Sequence, residues 1–380
     1  MHFYVNFVLV ISTGAKRNGE IYGQHKLKRL KGVDSSTSLG MTITLRIYTM
    51  KKLHIIALII ALAAILTSCM NKKVEQRKDR SVGGTSEILF VTQNDEQWNG
   101  QMGQTVRDFF EVEQYGLPQP EKTFRVAHIN INALNDMFKK HRNLIIGEIV
   151  PELTNPVIES QNDWQASPQY ALKIKAKDAE TWVKVFDNQK DELKNIFDKN
   201  ERARFMDFFR PMANPMIMET LKNIYGCTVT VPEGYYIAVN NDYFTWLRKE
   251  EVDKSFGLII YQLPYKSTND FSEDRLIKVS DSVTKKYIPG PTDGSYMTLD
   301  HEFVKPVFRV VPDFPATYAV EMRGMWKTEG EFMAGPYVAY TFVNPQSNRI
   351  TTIEGFVYYP NKPKRDLLRQ LETIIWSLKF

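Results

Sequence analysis

Residues 50–69 constrain the fold more than any other segment, because they decide how much of the chain is left to fold. Met50-Lys51-Lys52 is a short basic start, and Leu53 to Ile65 is an apolar run broken only by His54. Leu66-Thr67-Ser68-Cys69 closes the run with a leucine, two small residues and a thiol. The lysines stay on the cytoplasmic side of a membrane and the apolar run enters it as a helix. The small residues admit a peptidase, and the Cys69 thiol accepts a diacylglycerol. The run is 13 residues long, short of a spanning helix, and Asn71-Lys72-Lys73 follows at once. This is the pattern of a bacterial lipoprotein signal, with lipobox residues Leu66, Thr67 and Ser68 and the lipidation site at Cys69.

A signal peptide opens a chain, yet 49 residues precede Met50. They include a basic patch from Lys26 to Lys31 and show no sustained period, so translation is expected to start at Met50, with 1–49 an upstream over-extension. Charge follows the same division. Residues 1–68 hold nine Lys or Arg against two Asp or Glu, a net of +7, so the whole-chain +5 leaves −2 on the remaining residues. A faintly acidic body offers no electrostatic case for nucleic acid. Residues 69–85 are polar and charged and contain Gly83-Gly84, the composition of a flexible tether. Met70 in place of Asp after the lipidated residue favours the outer membrane, and the lack of an acidic run at 71–73 favours a periplasm-facing position.

The body, 86–380, reads as α+β: mixed sheets covered by helices. Its first half, 86–215, opens β-α-β-α-β. Glu87 to Val91 is a strand, and a helix from Gln101 places Met102, Val106, Phe109 and Phe110 on one face. Phe124 to Ile129 is a strand, Asn132 caps a helix with Leu134, Met137 and Phe138, and Asn143 to Val150 is a strand again. Tyr170 to Ala176 alternates, and Asp178 caps a long helical stretch, with a separate helical run from Glu201 to Phe209. Asn214-Pro215 opens a further helix that Gly226 closes.

The second half, 216–380, is an antiparallel meander with a C-terminal helix. Pro232-Glu233-Gly234 joins strands Thr228 to Val231 and Tyr235 to Val239 as a hairpin. Phe256 to Leu263 is a strand and Ser272 to Tyr287 an amphipathic helix. Tyr318 to Met325, Tyr337 to Val343 and Ile350 to Tyr359 are strands, and a helix after Pro363 covers one face of the sheet.

Chemistry is sparse. The three histidines beyond residue 69, His128, His141 and His301, form no cluster with metal-ligand spacing, and His301-Glu302 lacks the second histidine of a zinc protease helix. No nucleophile elbow or phosphate-binding glycine loop occurs. Ser282-Val283-Thr284-Lys285 places Ser and Lys on one helical face but lacks its companion motifs. Acylation of Cys69 leaves Cys227 as an unpaired thiol at the start of an alternating strand, where a buried, inert role is expected. No catalytic residue, metal or cofactor is therefore assigned. Trp98, Trp164 and Trp326 fall in or near loops, where an exposed ring could stack on a sugar, and they are the candidate ligand contacts.

The lipobox, the tail Cys69-Met70-Asn71-Lys72-Lys73, the strand Glu87-Ile88-Leu89-Phe90-Val91 and the closing Gly355-Phe356-Val357-Tyr358-Tyr359-Pro360 resemble a Bacteroidota family of outer-envelope lipoproteins known as a domain of unknown function. The resemblance implies an envelope lipoprotein and carries no catalytic residues to transfer. The expected role is a non-enzymatic, lipid-anchored, periplasm-facing binding or assembly module with an envelope protein or glycan as partner. A surface glycan-binding lipoprotein and an envelope hydrolase are the alternatives.

Overall fold

The computed structural model describes residues 78–380, so Cys69, the lipobox and the stretch 1–77 lie outside the described residues. Two sheets organise the rest, and the chain is α+β. The first sheet runs β2-β1-β3-β5-β4. It is built from β1 (Glu87–Thr92), β2 (Arg125–Asn130), β3 (Asn143–Ile149), β4 (Val157–Asn162) and β5 (Tyr170–Ala176). All neighbours are parallel except β4, which pairs antiparallel to β5 at the edge. Alternation sends β1 side chains to both faces: Ile88 and Phe90 join one core, while Leu89 and Val91 join another.

Helices cover the two faces unequally. α1 (Asp95–Asn99), α2 (Gln101–Phe110) and α4 (Ala179–Phe209) belong with the thicker core, in which Trp182, Phe186, Leu193 and Phe197 line up at helical spacing along α4. Asp178 caps α4, its carboxylate accepting from the Thr181 N–H at 2.8 Å. The helix then runs unbroken for 31 residues, joining the two helical runs that the sequence separates, because no residue before Pro211 interrupts it. The opposite face has little cover. The helix expected after Asn132 is a 3₁₀ turn at Ile131–Ala133 and a one-turn α3 (Asp136–Lys139). Asn135 supplies the cap instead, accepting from the Met137 and Phe138 N–H groups.

Within the described part of the compositional tether, residues 79–85 are bound to this half. The Val82 N–H donates to Lys140 O and the Arg142 N–H to Val82 O, both at 3.0 Å, and the Ser167 N–H donates to Asp79 O at 2.8 Å.

The second sheet runs β10-β11-β12-β13-β8-β7-β6, entirely antiparallel, with β9 also paired to β11. Its strands are β6 (Tyr236–Asn241), β7 (Phe244–Glu250), β8 (Ser255–Pro264), β9 (Tyr296–Leu299), β10 (Val307–Val310), β11 (Ala319–Glu329), β12 (Ala334–Asn344) and β13 (Arg349–Tyr358). The expected hairpin about Pro232 is not formed. Of residues 228–231 only Thr228 forms a bridge, to Lys379, and β6 pairs with β7.

α5 (Pro215–Tyr225) and α7 (Arg365–Trp376) pack on one face, where Leu221, Leu368, Leu371 and Ile375 meet Val338, Tyr340 and Ile353. α6 (Glu273–Tyr287) covers the other, with Leu276 against Trp326, Tyr337 and Phe356. Both faces are therefore covered, not one. The fully apolar runs in β8 and β12 are what a sheet buried on both sides requires. Gly226 ends α5 at φ +69°, the left-handed conformation of a helix C-cap. Cys227 beside it is 2% exposed, and burial pushes its thiol up to about 12, so it stays protonated.

Candidate functional site

α7 carries cations into the other half. The Lys364 ammonium donates to Gln119 Oε1 at 2.6 Å, and Arg365 Nη1 donates to Lys122 O at 2.7 Å. Arg369 reaches furthest: Nη1 lies 2.8 Å from Asp198 of α4, Nη2 donates to Thr123 O at 3.1 Å, and the guanidinium sits 4.9 Å from the Phe124 ring centroid. Burial alone would raise the Asp198 carboxyl, but Arg369 and Lys194 hold it far below the usual carboxylate range. Gly116, at φ +87°, lets the backbones touch, since a Cβ there would stand 2.8 Å from Gly324 O.

Beside this latch, α4, the β10 edge and the end of α7 enclose a cleft of about 990 Å³. Glu192, Ile196, Lys199, Ala203 and Met206 line it from one face of α4, and Arg210 just past its end continues the row, at spacings of three and four. From Glu192 to Arg210 that face is about 27 Å long at 1.5 Å per residue. Trp376 lines the wall towards α7, with the Arg202 guanidinium 3.9 Å from its ring centroid.

Arg309 enters from β10 and is held in a charge network. Its Nη2 lies 2.7 Å from Glu321, which also accepts from Arg323 Nε at 3.2 Å and from the Tyr340 hydroxyl at 2.7 Å. Arg323 in turn pairs with Glu372 of α7. Burial opposes ionisation of Glu321, but Arg323 and Arg309 bring its carboxyl down to about 2. The cleft is thus long and open, with charges of both signs fixed in place and Ile196, Met206 and Trp376 between them.

A second polar cluster lies under α6. Glu354 of β13 is completely buried, and burial raises its carboxyl to about 8 despite a 3.2 Å hydrogen bond from the Ser280 hydroxyl. Its Oε1 and the buried Tyr337 hydroxyl have no hydrogen-bond partner among the described residues. Nearby, Asp281 lies 2.8 Å from His301 Nε2 and accepts from the Thr298 hydroxyl and the Leu299 N–H. Among the described residues no group of three His, Cys, Asp or Glu could hold a metal ion.

Sequence comparison divides the chain between α4 and α5. Residues 81–210 match the family described as Domain of unknown function (DUF8532), and residues 214–377 match Domain of unknown function (DUF4837). The chain carries two domains of unknown function. No curated protein matches it. Solved structures give distant likenesses. The Ran-binding protein Mog1p of Saccharomyces cerevisiae is 12% identical with a TM-score of 0.27, over 41% of this chain and 91% of that one. LpqN of Mycobacterium tuberculosis, involved in cell envelope biogenesis, is 12% identical with a TM-score of 0.24, over 40% and 82%. The human StarD13 lipid transfer and protein localization domain is 10% identical with a TM-score of 0.20, over 43% and 94%. Scores this low define neither a shared fold nor a shared role.

The three tryptophans singled out from the sequence separate. Trp326 is not in a loop. It lies in β11 of the DUF4837 segment, 4% exposed, and donates from Nε1 to Val357 O at 3.2 Å, because strand alternation turns it into the core under α6. Trp98, in α1 of the DUF8532 segment, stacks on His128 with centroids 4.7 Å apart, and Arg107 stands 4.1 Å from its centroid, so its ring faces are taken. Trp164 alone lines a cleft, of about 300 Å³, on the thinly covered sheet face, with Leu134, Ile146, Glu159, Gln161 and Lys173. The histidines serve the fold as well: His128 Nε2 lies 2.7 Å from Thr92 Oγ1, and His141 Nε2 lies 3.0 Å from Glu87.

From the sequence, no residue of the large cleft is assigned to a site. The signal for these residues was a second stripe on α4, with Ile196, Ala203 and Met206 among cations, and that stripe is visible only once the two helical runs are read as one.

Proposed function

We propose that this protein is a non-enzymatic binding module of the cell envelope, held to the outer membrane by a lipid on Cys69 and facing the periplasm. It grips an extended segment of a partner protein in the cleft between α4, β10 and α7. The length of the cleft carries this reading. About 27 Å of one helix face suits a polymeric chain, whereas a compact metabolite needs a short, closed pocket. Fixed charges of both signs suit a partner segment of mixed charge, and Trp376 with Arg202 above it is the kind of aromatic anchor on which recognition concentrates.

Two outcomes are expected. A photo-crosslinking residue in place of Met206, inside the cleft, should capture a discrete envelope protein in living cells. The same residue in place of Val252, which is fully exposed in the β7–β8 hairpin, should not. Equal capture at both positions, or at neither, refutes the cleft as the binding site. The anchor is tested separately: the mature chain should begin at an acylated Cys69 by intact mass, and Cys69→Ala should move the protein from the detergent phase to the aqueous phase. Unchanged partitioning refutes the lipid anchor.

A further inference from the structure

We infer that the thinly covered face of the first sheet, around Trp164, is a membrane-contact surface that lies against the lipid headgroup region of the bilayer carrying the anchor. The inference rests on the lipid anchor at Cys69 and adds an orientation to it. Three observations meet at this face.

The first is where the chain enters the body. The Lys78 ammonium donates to Asp163 O, next to Trp164, and Asp79 pairs with Lys140 at 2.6 Å. From Cys69 to Lys78 is nine peptide steps, so the lipid lies at most about 30 Å from this point, at about 3.3 to 3.6 Å per residue. A body of some 300 residues has an expected radius of gyration of about 19 Å and is therefore roughly 50 Å across. A leash that short cannot carry the lipid to the far side. It holds the Trp164 side toward the bilayer.

The second is what the face exposes. Leu134 and Glu159 line the small cleft with Trp164. Met137, in α3 shortly after Leu134, is 58% exposed, and one strand repeat before Glu159, Val157 is 36% exposed. Val82, bridged to His141 beside the entry point, is 39% exposed. Apolar side chains around a half-buried tryptophan are what a headgroup boundary accommodates, the ring body in the apolar layer and its N–H in the wet one.

The third is charge. Lys173 of β5 is paired with Glu148 of β3 at 2.6 Å and Lys175 of β5 with Glu159 of the edge strand β4 at 3.0 Å. Charges neutralised in place lower the cost of approaching a bilayer and give no preference for anionic lipid. Contact is therefore expected to persist in neutral phosphatidylcholine and at high salt.

The test uses the lipidated protein in phosphatidylcholine vesicles containing a headgroup-spin-labelled lipid. A bimane label is placed by Val157→Cys, or by Phe332→Cys in the β11–β12 hairpin of the other sheet. Both positions are exposed, and the remaining thiols are acylated (Cys69) or buried (Cys227). The label at 157 should lose most of its emission to the spin-labelled lipid, at low and high salt alike, while that at 332 keeps it. Protein that floats with the vesicles but is quenched equally at both positions overturns the orientation and leaves the anchor standing. Protein that does not float overturns both. Shielding of the 157 label by added peptidoglycan and not by vesicles assigns the face to a glycan and overturns the membrane reading.

Discussion

Arg369→Ala is expected to lower the unfolding free energy by about 3–5 kcal/mol, the range for removing one partner of a buried ion pair. Its side chain is 8% exposed, and it serves a carboxylate, a backbone carbonyl and an aromatic face of the first half at once. Removing it leaves Asp198, whose side chain is 17% exposed, with Lys194 as its one remaining cation among the described residues, at 2.7 Å. Against a typical stability of about 5–15 kcal/mol this is a large fraction of the total. Urea titration of wild type and variant gives the number, and proteolysis across 211–213 reports whether the halves loosen first. Arg369→Lys should fall between the two, since an ammonium keeps the charge but cannot reach Asp198 and Thr123 O together. A loss below about 1 kcal/mol, the scale of exposed pairs, would refute the latch.

Glu354→Gln is expected to stabilise the protein at neutral and alkaline pH. The folded state holds the Glu354 carboxyl at about 8, against an ordinary value of 4.5, so it binds a proton that the unfolded chain gives up between those values. Stability conferred by a raised acid is fully present below pH 4.5 and lost as pH climbs through 8, at up to about 1.4 kcal/mol per pH unit. Glutamine carries no charge to desolvate, so variant and wild type should agree near pH 4.5, diverge steadily up to about pH 8 and keep a constant gap above it. Glu321 behaves in the opposite sense. Its carboxyl is held at about 2, so its contribution is present above pH 4.5 and is lost as pH falls towards 2. Glu354→Gln should therefore flatten the alkaline limb of the stability profile and leave the acid limb in place. Parallel profiles for the two proteins from pH 5 to 9 would mean that the carboxylate is not desolvated.

Local patterns in the sequence carried a good deal of this. The Asp178 cap, the Asn214-Pro215 start with Gly226 as its end, the strands at 143–149 and 170–176, and the closing helix after Pro363 all rest on contacts within a few residues, and they stand where the spacing places them. Edge and pairing relations were not legible in the same way. β4 has every residue exposed and shows no alternation, and β7 is defined by its pairing with β6 and β8. Trp326 looked like a loop residue because nothing local shows that β11 continues to Glu329 with α6 above it.

The sequence by itself determined the α+β class, most element types and the inert environment of Cys227, since these follow from hydrophobic period, capping chemistry and the lack of any reactive cluster. Only the tertiary structure decided which of the three tryptophans lines a cleft, that a buried carboxyl sits under α6, and that α4 and α7 flank a cleft. Burial and charge pairing are properties of residues far apart in sequence. Asp198 meets Arg369 across 171 positions and Ser280 meets Glu354 across 74, distances at which no local pattern carries information.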